Sequence, residues 1–182
     1  MSDRNPTETR FASQLQAQWA AFFGILGIPY EYRARMVALR GGAYTPDFWL
    51  PVQQCWVDIC ETYPSDEEAA RAKAVVAATT HPVYVMCGEF RAPQSVYDEH
   101  IDGYGYTPEG GGADYWWCEC PVCGALGITY WGWSRKLPCR CVWRVPIAYE
   151  KEYTYAAPHL VAAYDAVRAL NPADLPMTVA KP

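Results

Sequence analysis

Asp47 and Asp58 are the residues of this chain whose types and spacing most directly suggest chemistry. Asp47 heads the strand-like run Tyr44-Thr45-Pro46-Asp47-Phe48-Trp49-Leu50-Pro51, and Asp58 stands near the end of a second, Cys55-Trp56-Val57-Asp58-Ile59-Cys60. Each is a single carboxylate on an apolar background. If the two runs pair as a hairpin, the acids converge at adjacent strand ends. Paired acidic oxygens are what a hard divalent cation such as Mg²⁺ requires, and metal-assisted phosphodiester hydrolysis would follow from that geometry. Strand periodicity also puts Asp58 and Cys60 on one face.

The second set of reactive side chains is a group of cysteines. Cys120-Pro121-Val122-Cys123-Gly124 has the form of a zinc knuckle, with two thiolates on a tight turn and Gly124 letting the backbone fold under the metal. Cys139-Arg140-Cys141 is its expected partner, brought back by a hairpin through the strand-like residues 125–133. Cys120, Cys123, Cys139 and Cys141 would make a closed tetrahedral zinc site with a structural role, holding a segment too small to bury its own core. Cys118 is a fifth candidate, replacing Cys120 or sitting beside the site. Two disulfides are the alternative in an oxidising setting. Cys55, Cys60 and Cys87 are expected to pack as small buried apolar groups.

The elements that must position these groups follow from periodicity. Residues 7–23 are helical in pattern, with Phe11, Leu15, Trp19, Phe22 and Phe23 on one face and Gly24 or Gly27 as the stop. Residues 29–37 read as a strand, and Gly41-Gly42 as the turn before the Asp47 strand. Ser65-Asp66-Glu67-Glu68 reads as an N-cap with acids in the first turn of a helix reaching about Ala78. Residues 81–87 read as a buried strand. The order is helix, three strands, helix, strand, an α/β core over residues 1–90. Residues 91–117, rich in Gly and Tyr, read as a long loop insertion, residues 118–145 as a zinc ribbon, and residues 146–182 as a C-terminal helix and tail packing on the core. In that helix Leu160, Ala163, Tyr164, Val167 and Leu170 share a face.

This arrangement resembles the PD-(D/E)XK nuclease superfamily. It is more closely similar to small phage and mobile-element proteins that carry a Pro-Asp-Phe-Trp-Leu-Pro strand followed by Trp-Val-Glu-Val-Lys. The resemblance covers roughly residues 8–90, and the knuckle and terminal helix extend it more weakly to the whole chain. It implies a restriction-endonuclease-like fold in which Asp47 and Asp58 bind metal. Cys60 then occupies the position of the lysine that activates water and offsets charge, and a thiol supplies neither a fixed positive charge nor an ammonium donor. In the family a first-helix segment Phe-x-Ser-x-Leu-Glu-x-x-Trp often carries a further acid. Here Phe11-Ala12-Ser13-Gln14-Leu15-Gln16-Ala17-Gln18-Trp19 has Gln16 in its place. Two of the expected positions are altered, which implies a vestigial site holding Mg²⁺ only weakly. Lys73, on the helix after Asp58, is the obvious borrowed lysine, or else a solvated lysine on an amphipathic helix.

Composition bounds the rest. The 182 residues, 51% of them hydrophobic, suit one domain with an elaboration. A net charge of −5 is the wrong sign for a protein that wraps duplex backbone. Two local basic clusters remain, Arg33 with Arg35 and Arg40, and Arg135 with Lys136, Arg140 and Arg144. Eight Trp and fourteen Tyr favour strands and an interaction surface. His81, His100 and His159 have no spacing that suggests a triad or a second metal site. No apolar run approaches a membrane span and no leader pattern opens the chain, so the expectation is no membrane partner and a cytoplasmic location, in the host cell if phage-encoded, or a place in a virion. Two function classes follow. One is a nuclease-fold protein that no longer cuts and binds a nucleic acid, a virion assembly or a host protein, including a role as inhibitor of host defence. The other is an active divalent-metal-dependent DNA endonuclease.

Overall fold

A computed structural model describes residues 8–93, 103–120, 122–130, 139 and 157–180. Helix α1 (Gln14–Ile25) starts where the Ser13 side chain accepts from the Gln16 N–H at 3.1 Å, and stops at Gly27, whose φ of +64° carries the chain out of the helix. Helix α2 (Asp66–Thr79) opens on a full capping box. The Ser65 hydroxyl accepts from the Glu68 N–H while the Glu68 carboxylate accepts from the Ser65 N–H at 2.8 Å. Asp66, Glu67 and Glu68 in its first turn oppose the positive end of the helix dipole. Helix α3 (Pro158–Ala169) has proline in its first turn, where the missing N–H costs nothing.

One seven-stranded mixed sheet receives these helices. In chain order its strands are β2 (Glu31–Tyr32), β5 (Phe48–Leu50), β6 (Cys55–Cys60), β7 (Val83–Cys87), β8 (Tyr104–Thr107), β9 (Gly110–Glu119) and β10 (Leu126–Tyr130). Their spatial order is β10-β9-β8-β7-β6-β5-β2. The β6–β7 pair is parallel, joined through α2, and the other pairs are antiparallel. Two small ribbons flank the sheet. The first pairs β1 (Glu8–Arg10) with β11 (Thr178–Ala180), and the second pairs β3 (Val37–Leu39) with β4 (Gly42–Tyr44).

Both faces of the sheet are covered, so the central strands are apolar on both sides. Phe48, Leu50, Val57, Tyr84, Met86 and Trp117 meet Trp19, Phe22, Phe23 and Tyr164 of α1 and α3 in the larger core. Trp49, Trp56, Val83, Val85 and Tyr106 meet Ala72, Val75 and Val76 of α2 in the smaller one. The two-residue alternation of strands therefore assigns Trp56, Asp58 and Cys60 to the α2 side.

The structure departs from the sequence-based expectation at several elements. Residues 104–107 and 110–119 are not loop but two central-to-edge strands, and β10 continues the same sheet. The glycines that suggest a loop instead make room for rings. A Cβ on Gly105 would stand 2.2 Å from the Tyr115 ring, and one on Gly111 would stand 2.7 Å from the Tyr106 backbone. The strands that flank the knuckle, β9 and β10, belong to the main sheet, and the rest of the expected ribbon, residues 131–138 and 140–145, lies outside the described residues. The strand expected over residues 29–37 shrinks to Glu31–Tyr32, because Arg33 sits in the left-handed region at φ +44° and redirects the chain, leaving Val37 to pair in the β3–β4 ribbon. The first helix begins at Gln14, with residues 8–10 drawn into pairing with β11. Leu160, Ala163, Tyr164 and Val167 are buried as expected, but Leu170 is exposed, past the helix end.

Candidate functional site

The β5–β6 register sets Phe48 opposite Val57, so the next positions outward are Asp47 and Asp58. The backbone N–H of Asp47 donates to Asp58 Oδ1 at 3.0 Å, and the N–H of Ile59 donates to Asp47 Oδ2 at 3.1 Å. Gln16 approaches from α1. Its Oε1 accepts from the Ala12 N–H at 2.8 Å and from the Tyr32 hydroxyl at 2.7 Å, which leaves its amide N–H groups for Asp47, to which it hydrogen-bonds. The Tyr44 hydroxyl completes the cluster with a hydrogen bond to Asp58. Gln16, Asp47 and Asp58 are all buried.

Burial sets the electrostatics of the pair. Desolvation raises the Asp47 pKa above the ordinary aspartate value, against the Ile59 and Gln16 hydrogen bonds that lower it. Asp58 is pushed up to about 7, by desolvation first and then by the neighbouring charge of Asp47. The cation acting on both aspartates is Arg71 of α2, with Arg33 acting on Asp47. The Arg71 guanidinium lies 4.7 Å from the centre of the Tyr44 ring, and its buried Nε has no hydrogen-bond partner among the described residues. Lys73 lies elsewhere, with its Nζ 5.9 Å from the centre of the Tyr106 ring toward β8. Sequence reasoning pointed to Lys73 and missed Arg71, although Arg71 is the first basic residue after the capping box.

Cys60 faces the same side as Asp58, whose charge acts on its thiol. The Cys60 Sγ donates to the Thr62 carbonyl at 2.8 Å and is also in hydrogen-bonding contact with Cys87, its register partner on β7. That contact and burial push the Cys60 thiol up, and the same contact pulls Cys87 down. Cys55 packs as a buried apolar group, as expected, whereas Cys60 is half-buried and engaged with Cys87.

At the far side of the sheet, β9 runs into the knuckle. The Gly124 N–H donates to the Cys120 carbonyl and the Cys120 N–H to the Ala125 carbonyl, both at 2.8 Å, and Gly124 takes φ +70°. The turn brings the sulfurs of Cys120, Cys123 and Cys139 within 4.8 Å of one another. Tetrahedral thiolates on zinc, with bonds of about 2.3 Å, stand about 3.8 Å apart, so the donor set fits a structural zinc ion. Cys118 is buried in the same small cluster as Cys120, beside Ala125 and Cys139. Cys141 lies outside the described residues, as do His100, Arg135, Lys136, Arg140 and Arg144. His159, at the start of α3, meets Glu119 at 2.8 Å and ties that helix to the knuckle.

No family model, curated protein or solved structure matches the chain. Among the described residues no helix is long and apolar enough to cross a membrane.

Proposed function

We propose that this chain is a nuclease-fold protein of the PD-(D/E)XK type, of phage or mobile-element character, whose acid site serves binding rather than cutting. The order α1, β2, β5, β6, α2, β7, with β6 and β7 parallel, is consistent with a restriction-endonuclease-like core. The observation that carries the reading is the satisfaction of the acid pair from within. Ile59 N–H, Asp47 N–H, Gln16 and Tyr44 supply its hydrogen bonds, and position 60 offers a thiol already engaged with Thr62 and Cys87. Burial raises both aspartates, so Mg²⁺ must compete with protons for the pair and its binding should weaken further as pH falls below about 7.

The ligand class favoured is a nucleic-acid segment. Arg35 lies 5.2 Å from the centre of the Trp49 ring, Arg71 lies 4.7 Å from that of Tyr44, and Lys73 lies 5.9 Å from that of Tyr106. These cations supply charge for phosphates, whereas the Trp49 and Tyr106 rings are buried and hold the cations in place rather than stacking on bases, and Arg35 is paired with Glu31. A protein assembly, such as a virion component or a host defence protein, is the other ligand class, and the phage context rests on the resemblance alone. The endonuclease reading has one observation in its favour, the fixed charge of Arg71 beside both aspartates.

The deciding experiment incubates the zinc-loaded chain with duplex, single-stranded and branched DNA in Mg²⁺ or Mn²⁺, alongside binding measured by fluorescence anisotropy. Expected are no cleavage above background and single-strand binding that weakens about tenfold in an Arg35→Ala, Arg71→Ala double variant. Robust cutting lost on Asp47→Ala, Arg71→Ala or Lys73→Ala would establish the endonuclease instead. Absence of any binding at low salt would reject nucleic acid as the ligand.

A further inference from the structure

Cys60 and Cys87 stand directly opposite each other at the ends of β6 and β7, the parallel pair at the centre of the sheet. Neighbouring strands are about 4.8 Å apart, and disulfides span Cα separations of about 4.4–6.8 Å, so the backbone already holds the two residues at bridging distance. Their side chains lie on one face and their thiols touch. Cys60 is half-buried, which leaves the pair reachable by a small oxidant, while Cys55, the other cysteine of β6, points into the opposite core. We propose that Cys60 and Cys87 form a reversible disulfide, closed by a peroxide-class oxidant and opened by a dithiol.

The reaction balances in either order. One sulfur attacks hydrogen peroxide, the O–O bond breaks, and a sulfenic acid and one water result. The second sulfur then attacks the first, the S–S bond forms, the S–O bond breaks, and the hydroxyl leaves with the second thiol's proton as water. Two thiols are oxidised and one peroxide is reduced to two waters. Because Cys60 is half-buried, the bridge stays open to attack by a dithiol and can be reduced again. Forming it withdraws Cys60 from the Thr62 carbonyl, in the turn that leads to the α2 capping box, two residues from Asp58. The assignment is independent of whether the chain cuts or binds.

The test treats the reduced, zinc-loaded chain with a small excess of hydrogen peroxide, blocks the remaining thiols with an alkylating agent, and maps the peptides by tandem mass spectrometry. Expected is a linked species about 2 Da lighter than the sum of its two reduced peptides, with fragments placing the bond on Cys60 and Cys87, and its disappearance after dithiothreitol. Cys60→Ser and Cys87→Ser should each lose the link. If either variant fails to fold, the wild-type map decides alone. Cys60 and Cys87 recovered as alkylated thiols, as separate sulfinic acids, or with Cys87 joined to Cys55 would overturn the proposal.

Discussion

Asp58 receives a hydrogen bond from the backbone N–H of Asp47 at 3.0 Å, so the position of each acid is fixed by the strand that carries the other. This holds two carboxylates together out of water. The result is a site whose protonation is linked to folding.

Asp58 keeps its proton to about pH 7 when folded, against an ordinary value of 3.8. The unfolded chain therefore releases the proton first as pH rises. The stability contributed by neutral Asp58 is fully present below about pH 4 and is lost as pH rises through about 7, a difference on the order of a few kcal/mol. Urea unfolding should show the wild type weaker at pH 8 than at pH 5, with Asp58→Asn flattening the profile and exceeding the wild type at pH 8. Millimolar Mg²⁺ should leave the wild-type profile unchanged. A rise in stability at pH 8 on adding Mg²⁺ would mark a working metal site.

Gln16→Glu replaces an amide donor by a carboxylate oxygen facing Asp47. Two buried acids would then oppose each other, and the cost should be about 3 kcal/mol at pH 8, shrinking at pH 5 as a shared proton relieves it. Adding Cys60→Lys should recover part of the loss by placing an ammonium beside Asp58. That double variant is also the one in which a trace of Mn²⁺-dependent cleavage should emerge. Denaturant midpoints and a plasmid-nicking assay check the two parts separately.

Elemental analysis should find one zinc per chain, held by Cys120, Cys123 and Cys139. Cys123→Ser should abolish it, and a chelator should lower the thermal midpoint by on the order of 10 °C. Comparing Cys118→Ser with Cys141→Ser identifies the fourth ligand, since only the true ligand's variant loses stoichiometric metal. Purified protein without zinc under reducing conditions would contradict the assignment.

Gly105→Ala places a methyl group 2.2 Å from the Tyr115 ring. It should cost about 1–3 kcal/mol through overpacking. Tyr115→Leu in the same chain should return part of that cost, which a double-mutant cycle by chemical denaturation would measure. Additive penalties would show that the ring does not need the missing side chain.

Local signals suffice where one residue governs one structure. Ser65 capped its helix as its neighbours Asp66, Glu67 and Glu68 indicated, and the 81–87 run entered the sheet as Val83–Cys87. Asp47 and Asp58 met because both strand periodicity and hairpin pairing act over a few residues. What escaped depends on distant partners. Gly105 and Gly111 look like loop residues until Tyr115 and Tyr106 are laid against them. Arg71 and Lys73 are two positions apart on one helix, and which of them turns toward the aspartates depends on how α2 is rotated on the sheet, a quantity set by the packing of Ala72, Val75 and Val76. The thiol contact of Cys60 required the register of β6 on β7, which no local pattern encodes.

The packing of α1 on α3 has a consequence for synthesis. The Tyr164 ring sits 4.5 Å from that of Phe22 and 6.0 Å from that of Trp19, yet it is translated only after every strand of the sheet. Until it emerges, Phe22 and Trp19 are covered by Trp117 and Phe90 on the sheet side but lack the cover that Tyr164 gives them. A chain truncated before α3 should therefore expose the α3-facing sides of Phe22 and Trp19 and be more prone to aggregate than the full sequence.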